Sequence, residues 1–111
     1  MGPGVFEGAT ARLLVGNDGE EPLELVVEPW GACHALPPGR TWVVVTHSPA
    51  AHGSWPGTRR AGEPFEVLHR SDAVTVWANG GCFHLGDVDG HAVDAAAEEC
   101  PAGGPPRGLT A

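Results

Sequence analysis

At 111 residues with a formal net charge of −8, the chain is one acidic domain with enough material for a single modest core. That charge excludes nucleic acid and anionic membrane as main partners, because both demand clustered Lys and Arg, and Arg59-Arg60 is the only adjacent basic pair. Lys, Ile, Tyr and Gln are absent while Ala, Gly, Pro and Val abound, a bias that points to a GC-rich bacterial genome.

No window approaches the length of about 18 apolar residues that a membrane span needs. The start lacks a basic segment followed by an apolar run of signal-peptide length. The three cysteines are odd in number and irregularly spaced. With no export signal, they read as reduced thiols in the cytoplasm. The expected organisation is a loose N-terminus over 1–8, a β-sandwich domain over 9–100 and a disordered Gly/Pro-rich tail over 101–111.

Ala9 to Val15 reads as a strand, with Ala11, Leu13 and Val15 on one face. Asn17-Asp18-Gly19 is a turn signal and predicts a hairpin with the next strand. In Leu23 to Glu28, Leu23, Leu25 and Val27 alternate with Glu24, Val26 and Glu28, which gives one dry face and one wet one. Pro29 has no N–H for a ladder, so pairing should stop there. Trp30 can then fold over the open end of the core while Gly31 turns the chain. Cys33 to Leu36 is a short strand with His34 and Leu36 on one face. Pro37-Pro38-Gly39 is a rigid turn. Thr41 to Thr46 is apolar on both faces, as a central strand of a two-layer fold requires.

The phrase EPWG followed by LPPG resembles a recurrent group of small, uncharacterised bacterial β proteins. In these a strand ending in Glu-Pro-Trp-Gly is followed by a short strand, a Pro-Pro-Gly turn and another strand. The pattern is also distantly similar to cupredoxin-like sandwiches, where a Pro-Gly turn precedes a buried strand. The similarity covers Leu23 to Val45, with weaker support from Glu63 to Gly90. It implies a fold and brings no activity with it.

His47 to Glu63 has neither strand nor helix period and is long for a connection. It reads as an exposed loop or as a site rim carrying His47, His52, Trp55, Arg59 and Arg60. From Pro64 the chain reads as a meander. Phe65, Val67 and His69 alternate with Glu66 and Leu68; Ser71-Asp72 turns; Val74, Val76 and Ala78 alternate with Thr75 and Trp77. Asn79-Gly80 predicts a type I′ hairpin into Cys82 to Leu85, and Asp89-Gly90 turns into His91 to Val93. Asp94 to Glu99 reads as one helical turn with Asp94 as its cap. The expected fold is all-β: a single-domain antiparallel β-sandwich, cupredoxin-like or Ig-like, of about six to eight short strands. Its core should include Leu13, Leu23, Leu25, Val27, Val44, Val67, Val74, Val76 and Phe83.

Six His and three Cys form the main functional lead. Cys82 and His84 stand at i, i+2 on a strand and project from one face about 6.6–6.8 Å apart along the backbone, close enough to share a metal ion. His34 and His47 are the imidazoles expected to join them, in a site for Zn or Cu. Against this, Phe83 and Leu85 claim the core, so Cys82 and His84 then lie on the outer face, and a free Cys is often a small buried hydrophobe. No paired C-x2-C signature is present. A type-1 copper centre fits less well, because Cys82-Phe83-His84 is tighter than the cupredoxin spacing and the only methionine is Met1. Asp87 and Asp89 resemble part of a calcium loop, but a hairpin turn accounts for them. A Cys–His nucleophilic dyad using Cys33 or Cys82 has no family signature around it. No Gly-rich phosphate loop is present.

Two functions follow from these residues. One is a non-enzymatic accessory protein that binds another protein or itself, with Trp30, Trp55, Arg59 and Arg60 as the interface residues and open sheet edges as a second route. The alternative is a transition-metal-binding protein using the His/Cys cluster.

Overall fold

The computed structural model describes residues 10–47 and 63–96. These form eight strands: β1 (Thr10–Gly16), β2 (Leu23–Glu28), β3 (Ala32–Leu36), β4 (Thr41–His47), β5 (Phe65–His69), β6 (Ala73–Ala78), β7 (Cys82–Asp87) and β8 (Ala92–Ala96). They make two four-stranded sheets, ordered β1-β4-β7-β8 and β3-β2-β6-β5. The protein is therefore the all-β sandwich that the alternating sequence predicts. Pairing is antiparallel except for β2 with β6, which run parallel. Among the described residues, no helix is long and apolar enough to cross a membrane.

Period-two alternation decides which side chains meet between the sheets. Trp42 and Val44 from β4 and Phe83 and Leu85 from β7 face Leu25 and Val27 from β2 and Val74 and Val76 from β6. Burying each such side chain stabilises the fold by about 1.5–3 kcal/mol. Leu13, Leu23 and Trp30 are partly buried against this cluster. Trp30 tilts onto Phe83 with ring centroids 4.9 Å apart, closing one end of the core just past the stop at Pro29. Gly31 (φ 68°) and Gly39 (φ 73°) hold the left-handed conformations that the Trp-Gly and Pro-Pro-Gly turns require.

The connections depart from expectation in several places. Asn17-Asp18-Gly19 does not close a hairpin, because β1 pairs with β4 and β2 lies in the other sheet. Asn17 instead ties this crossover down. Its Nδ2 donates to Glu21 O and Leu36 O, and its backbone exchanges bonds with Arg40 O and Gly39 N. Asn79-Gly80 likewise carries the chain from β6 to β7 in the opposite sheet rather than closing a hairpin. The expected meander is thus two separate hairpins, β5–β6 and β7–β8. Of the expected helical turn over 94–99, residues 94–96 are strand, since Asp94 pairs with Leu85 within β8, and 97–99 lie outside the described residues; over 94–96 the ladder offered by the β7 edge outweighs a marginal local turn. Val67 is not core but 49% exposed, because β5 is an edge strand. Asp87 and Asp89 belong to the β7–β8 turn: Asp87 Oδ1 accepts from the backbone N–H groups of Asp89 and His91.

Candidate metal centre

The two central strands of the first sheet, β4 and β7, are covered on both faces. Opposite the inter-sheet core, Val43 and Val45 form a second small buried cluster. His47 shares their face of β4, two residues beyond Val45. On β7, Cys82 and His84 alternate with Phe83 and so point the same way. The register makes His47 the direct partner of Cys82, and Val45 the partner of His84. Directly opposed residues on adjacent strands have Cβ atoms about 4.5–5.5 Å apart, so these three side chains converge.

The side chains realise that convergence. A ligand atom from each of His47, Cys82 and His84 lies within 4.8 Å of the other two. Cys82 Sγ is 3.6 Å from His84 Nε2, and the two imidazoles meet edge to face with centroids 5.3 Å apart. The residues lie on the outer face of the sheet, as Phe83 and Leu85 require, yet they are dry: Cys82 and His84 are 1% exposed and His47 4%.

His47 closes β4, whereas its sequence neighbours suggest the start of a loop. Its Nδ1 is 2.9 Å from Thr10 Oγ1, its cross-strand partner on β1. Its Nε2 is buried and has no hydrogen-bond partner among the described residues. A buried polar atom without a partner is costly, and a bound metal ion would satisfy it. Backbone contacts fix the strand ends around the group. Gly81 N donates to His47 O at 2.7 Å, and Thr46 Oγ1 donates to Cys82 O at 2.6 Å.

The electrostatics favour ligation. Burial lowers the pKa of His47. Burial first, and then the neighbouring His47, lowers that of His84 from 6.5 to about 4. Both rings are therefore neutral at pH 7, the form that binds metal. For Zn–S of about 2.3 Å and Zn–N of about 2.0–2.1 Å, tetrahedral ligands sit about 3.5 Å apart. The Cys82–His84 separation already has that length, and an adjustment of about 1 Å closes the group. The same Cys82–His84 pair has the makings of a nucleophilic dyad, and both of its members are 1% exposed.

His34 is placed elsewhere. It lies on β3 of the second sheet, with Nε2 2.8 Å from Asp94 Oδ2 on β8 of the first, so this pair clasps the two sheets at one edge. Its ring also meets Trp42 edge to face at 6.2 Å. Cys33 is exposed at the sheet edge. Of the expected interface residues, Trp30 is half-buried on Phe83, while Trp55, Arg59 and Arg60 lie outside the described residues, as do His52 and the 1–8 and 101–111 segments. Thr10 is the site residue that sequence reasoning missed; a lone Thr on an edge strand carries no signal until the β1–β4 register is known.

No family model matches the chain, and no curated protein or solved structure matches it.

Proposed function

We propose that this chain is a small non-enzymatic β-sandwich that binds a transition metal ion, Zn or Cu, through His47, Cys82 and His84. One observation carries the reading: three ligand-type side chains, each nearly fully buried, converge within 4.8 Å, and one of them holds an unsatisfied ring nitrogen. Thiolate and imidazole together suit Zn or Cu. His34, engaged with Asp94, is not a ligand in this reading.

Native mass spectrometry and elemental analysis of the untagged protein test it. One metal per chain is expected, retained by His34→Ala and lost from Cys82→Ala/His84→Ala. A stoichiometric metal that survives the double substitution, or no metal under any loading condition, rejects the site.

A second reading, pairing with a partner strand or with another copy, is favoured by β5. It is an edge strand whose Val67 and Leu68 are 49% and 43% exposed. Such an edge can accept a further strand. A concentration-dependent sedimentation coefficient that Leu68→Lys abolishes supports it.

A further inference from the structure

On the metal reading above, we infer that the fold encloses the ion: it enters and leaves only when the β4–β7 end opens, so it is a resident fastening of the sheet and not cargo handed to a partner. His47, Cys82 and His84 are 4%, 1% and 1% exposed, on strands that occupy the two central places of their sheet. Each ligand-bearing strand is held on both sides. β4 pairs with β1 through Thr10–His47 and Ala11–Thr46. β7 pairs with β8 through Phe83–Ala96 and His84–Ala95. The two pair with each other through His47–Cys82 and Val45–His84. A chelator or an acceptor protein must touch an ion to take it, and while the strands are closed these ligands present almost no surface for that contact.

Bonds at the strand end oppose the opening. The buried Thr46 donates from Oγ1 to Cys82 O at 2.6 Å, and Gly81 N donates to His47 O at 2.7 Å. Gly80 packs so closely on the His47 carbonyl that no Cβ fits between them. Core strands open at free energies that approach that of global unfolding. An ion bonded to both β4 and β7 stabilises the closed pair further, as structural metals do. Neither the identity of the ion nor a further ligand alters this, because access and not coordination limits exchange.

The test uses the full-length chain refolded with Zn(II), or with Cu(I) under anaerobic, reducing conditions, and follows release of the ion to a chromophoric chelator. The release rate should level off as the chelator is raised, at the same plateau for two chelators of different size. That plateau should rise with urea well below the unfolding midpoint, because urea favours states that expose more surface. Thr46→Ala removes a clamp and no ligand, and should raise the plateau about 3–10-fold. Thr46→Ser keeps the hydroxyl and should release close to the wild-type rate.

Release that stays proportional to the chelator and depends on its size overturns the enclosure and leaves the metal site standing. So does a plateau that ignores urea, or a folded Thr46→Ala that releases as slowly as the wild type. If the chain refolded with either ion retains none, or if Cys82→Ala/His84→Ala retains it, the metal reading itself falls. Circular dichroism of each variant separates a changed release rate from loss of the fold. Where Thr46→Ala does not fold, the urea dependence of the wild type decides, and His47→Gln serves where the double variant does not fold.

Discussion

His47 and Cys82 are direct partners across the antiparallel β4–β7 ladder, and that one register position creates the candidate site. Cys82 opens β7 and His47 closes β4, so the pair sits at the end of the two most deeply buried strands. His84 joins because it is two residues along the same face. A slip of one residue would turn Cys82 and His84 into the inter-sheet core and Phe83 out of it. The same burial that sets the fold therefore sets the ligand geometry.

Gly80 guards this register. A Cβ there would run into Thr46 Oγ1 and the backbone carbonyl of His47, at the point where the chain crosses from β6 to β7. Gly80→Ala should destabilise the protein by about 1–3 kcal/mol, as overpacking does, and weaken metal binding by shifting Cys82. Adding Thr46→Ala should not restore either property, because the His47 carbonyl still obstructs. Chemical denaturation and metal competition check both; recovery in the double variant would show that the backbone approach is not what matters.

The strands were legible because alternation survives in single sequences: β2, β4 and β6 follow their Leu and Val pattern almost residue for residue. Sheet membership was not legible. Asn17-Asp18-Gly19 and Asn79-Gly80 fix local backbone geometry, and that geometry serves an inter-sheet crossing as well as a hairpin. Which strand pairs with which is decided by covering both faces of β4, a condition that no local window expresses. The site shared this limit. Cys82 and His84 declare themselves by spacing, whereas His34 and His47 can be told apart only once the first puts itself in the other sheet.

Asn17 gives that point an energetic test. Its side chain is buried, bonds two carbonyls and accepts from Gly19 N. Asn17→Ala leaves the buried Leu36 carbonyl without this donor and should cost about 1–3 kcal/mol. Asn17 lies beyond the Gly16–Thr41 end of the β1–β4 pair, opposite to the Thr10–His47 end, so metal affinity should hardly change. A urea midpoint equal to that of the wild type would show that the crossover does not depend on this side chain.

The depressed imidazoles make the apo protein acid-sensitive in a defined window. An unfolded His titrates near 6.5, while His84 in the fold titrates at about 4 and His47 is also lowered. Between these values the unfolded chain binds more protons than the folded one, so stability is complete above pH 6.5 and falls as pH drops toward 4. The slope is up to about 1.4 kcal/mol per pH unit for each imidazole. Urea denaturation of apo protein across this range should show it, and His84→Gln should flatten it. Asp87, held below its ordinary value chiefly by the backbone N–H of His91, acts only in more acidic solution, where its contribution is lost as pH falls below 3.8. A wild-type curve that is level from pH 7 to 4.5 would contradict the burial of the two rings.

Thr10 is the residue that prepares His47. In the tautomer that leaves Nε2 free for a ligand, Nδ1–H donates to Thr10 Oγ1, 2.9 Å away. The bond fixes the ring and keeps the proton off the nitrogen that would coordinate a metal, as outer hydrogen bonds do for metal-binding histidines. Thr10→Val keeps the β-branched shape and removes the acceptor. Metal affinity should fall about 10–100-fold, with a stability change of only about 1 kcal/mol. Thr10→Ser keeps the hydroxyl and should restore most of the affinity. Competition titrations of the three proteins, beside their thermal midpoints, separate positioning from folding. Equal affinity in wild type and Thr10→Val would mean that His47 is oriented by its packing alone, and that the hydroxyl has no part in the site.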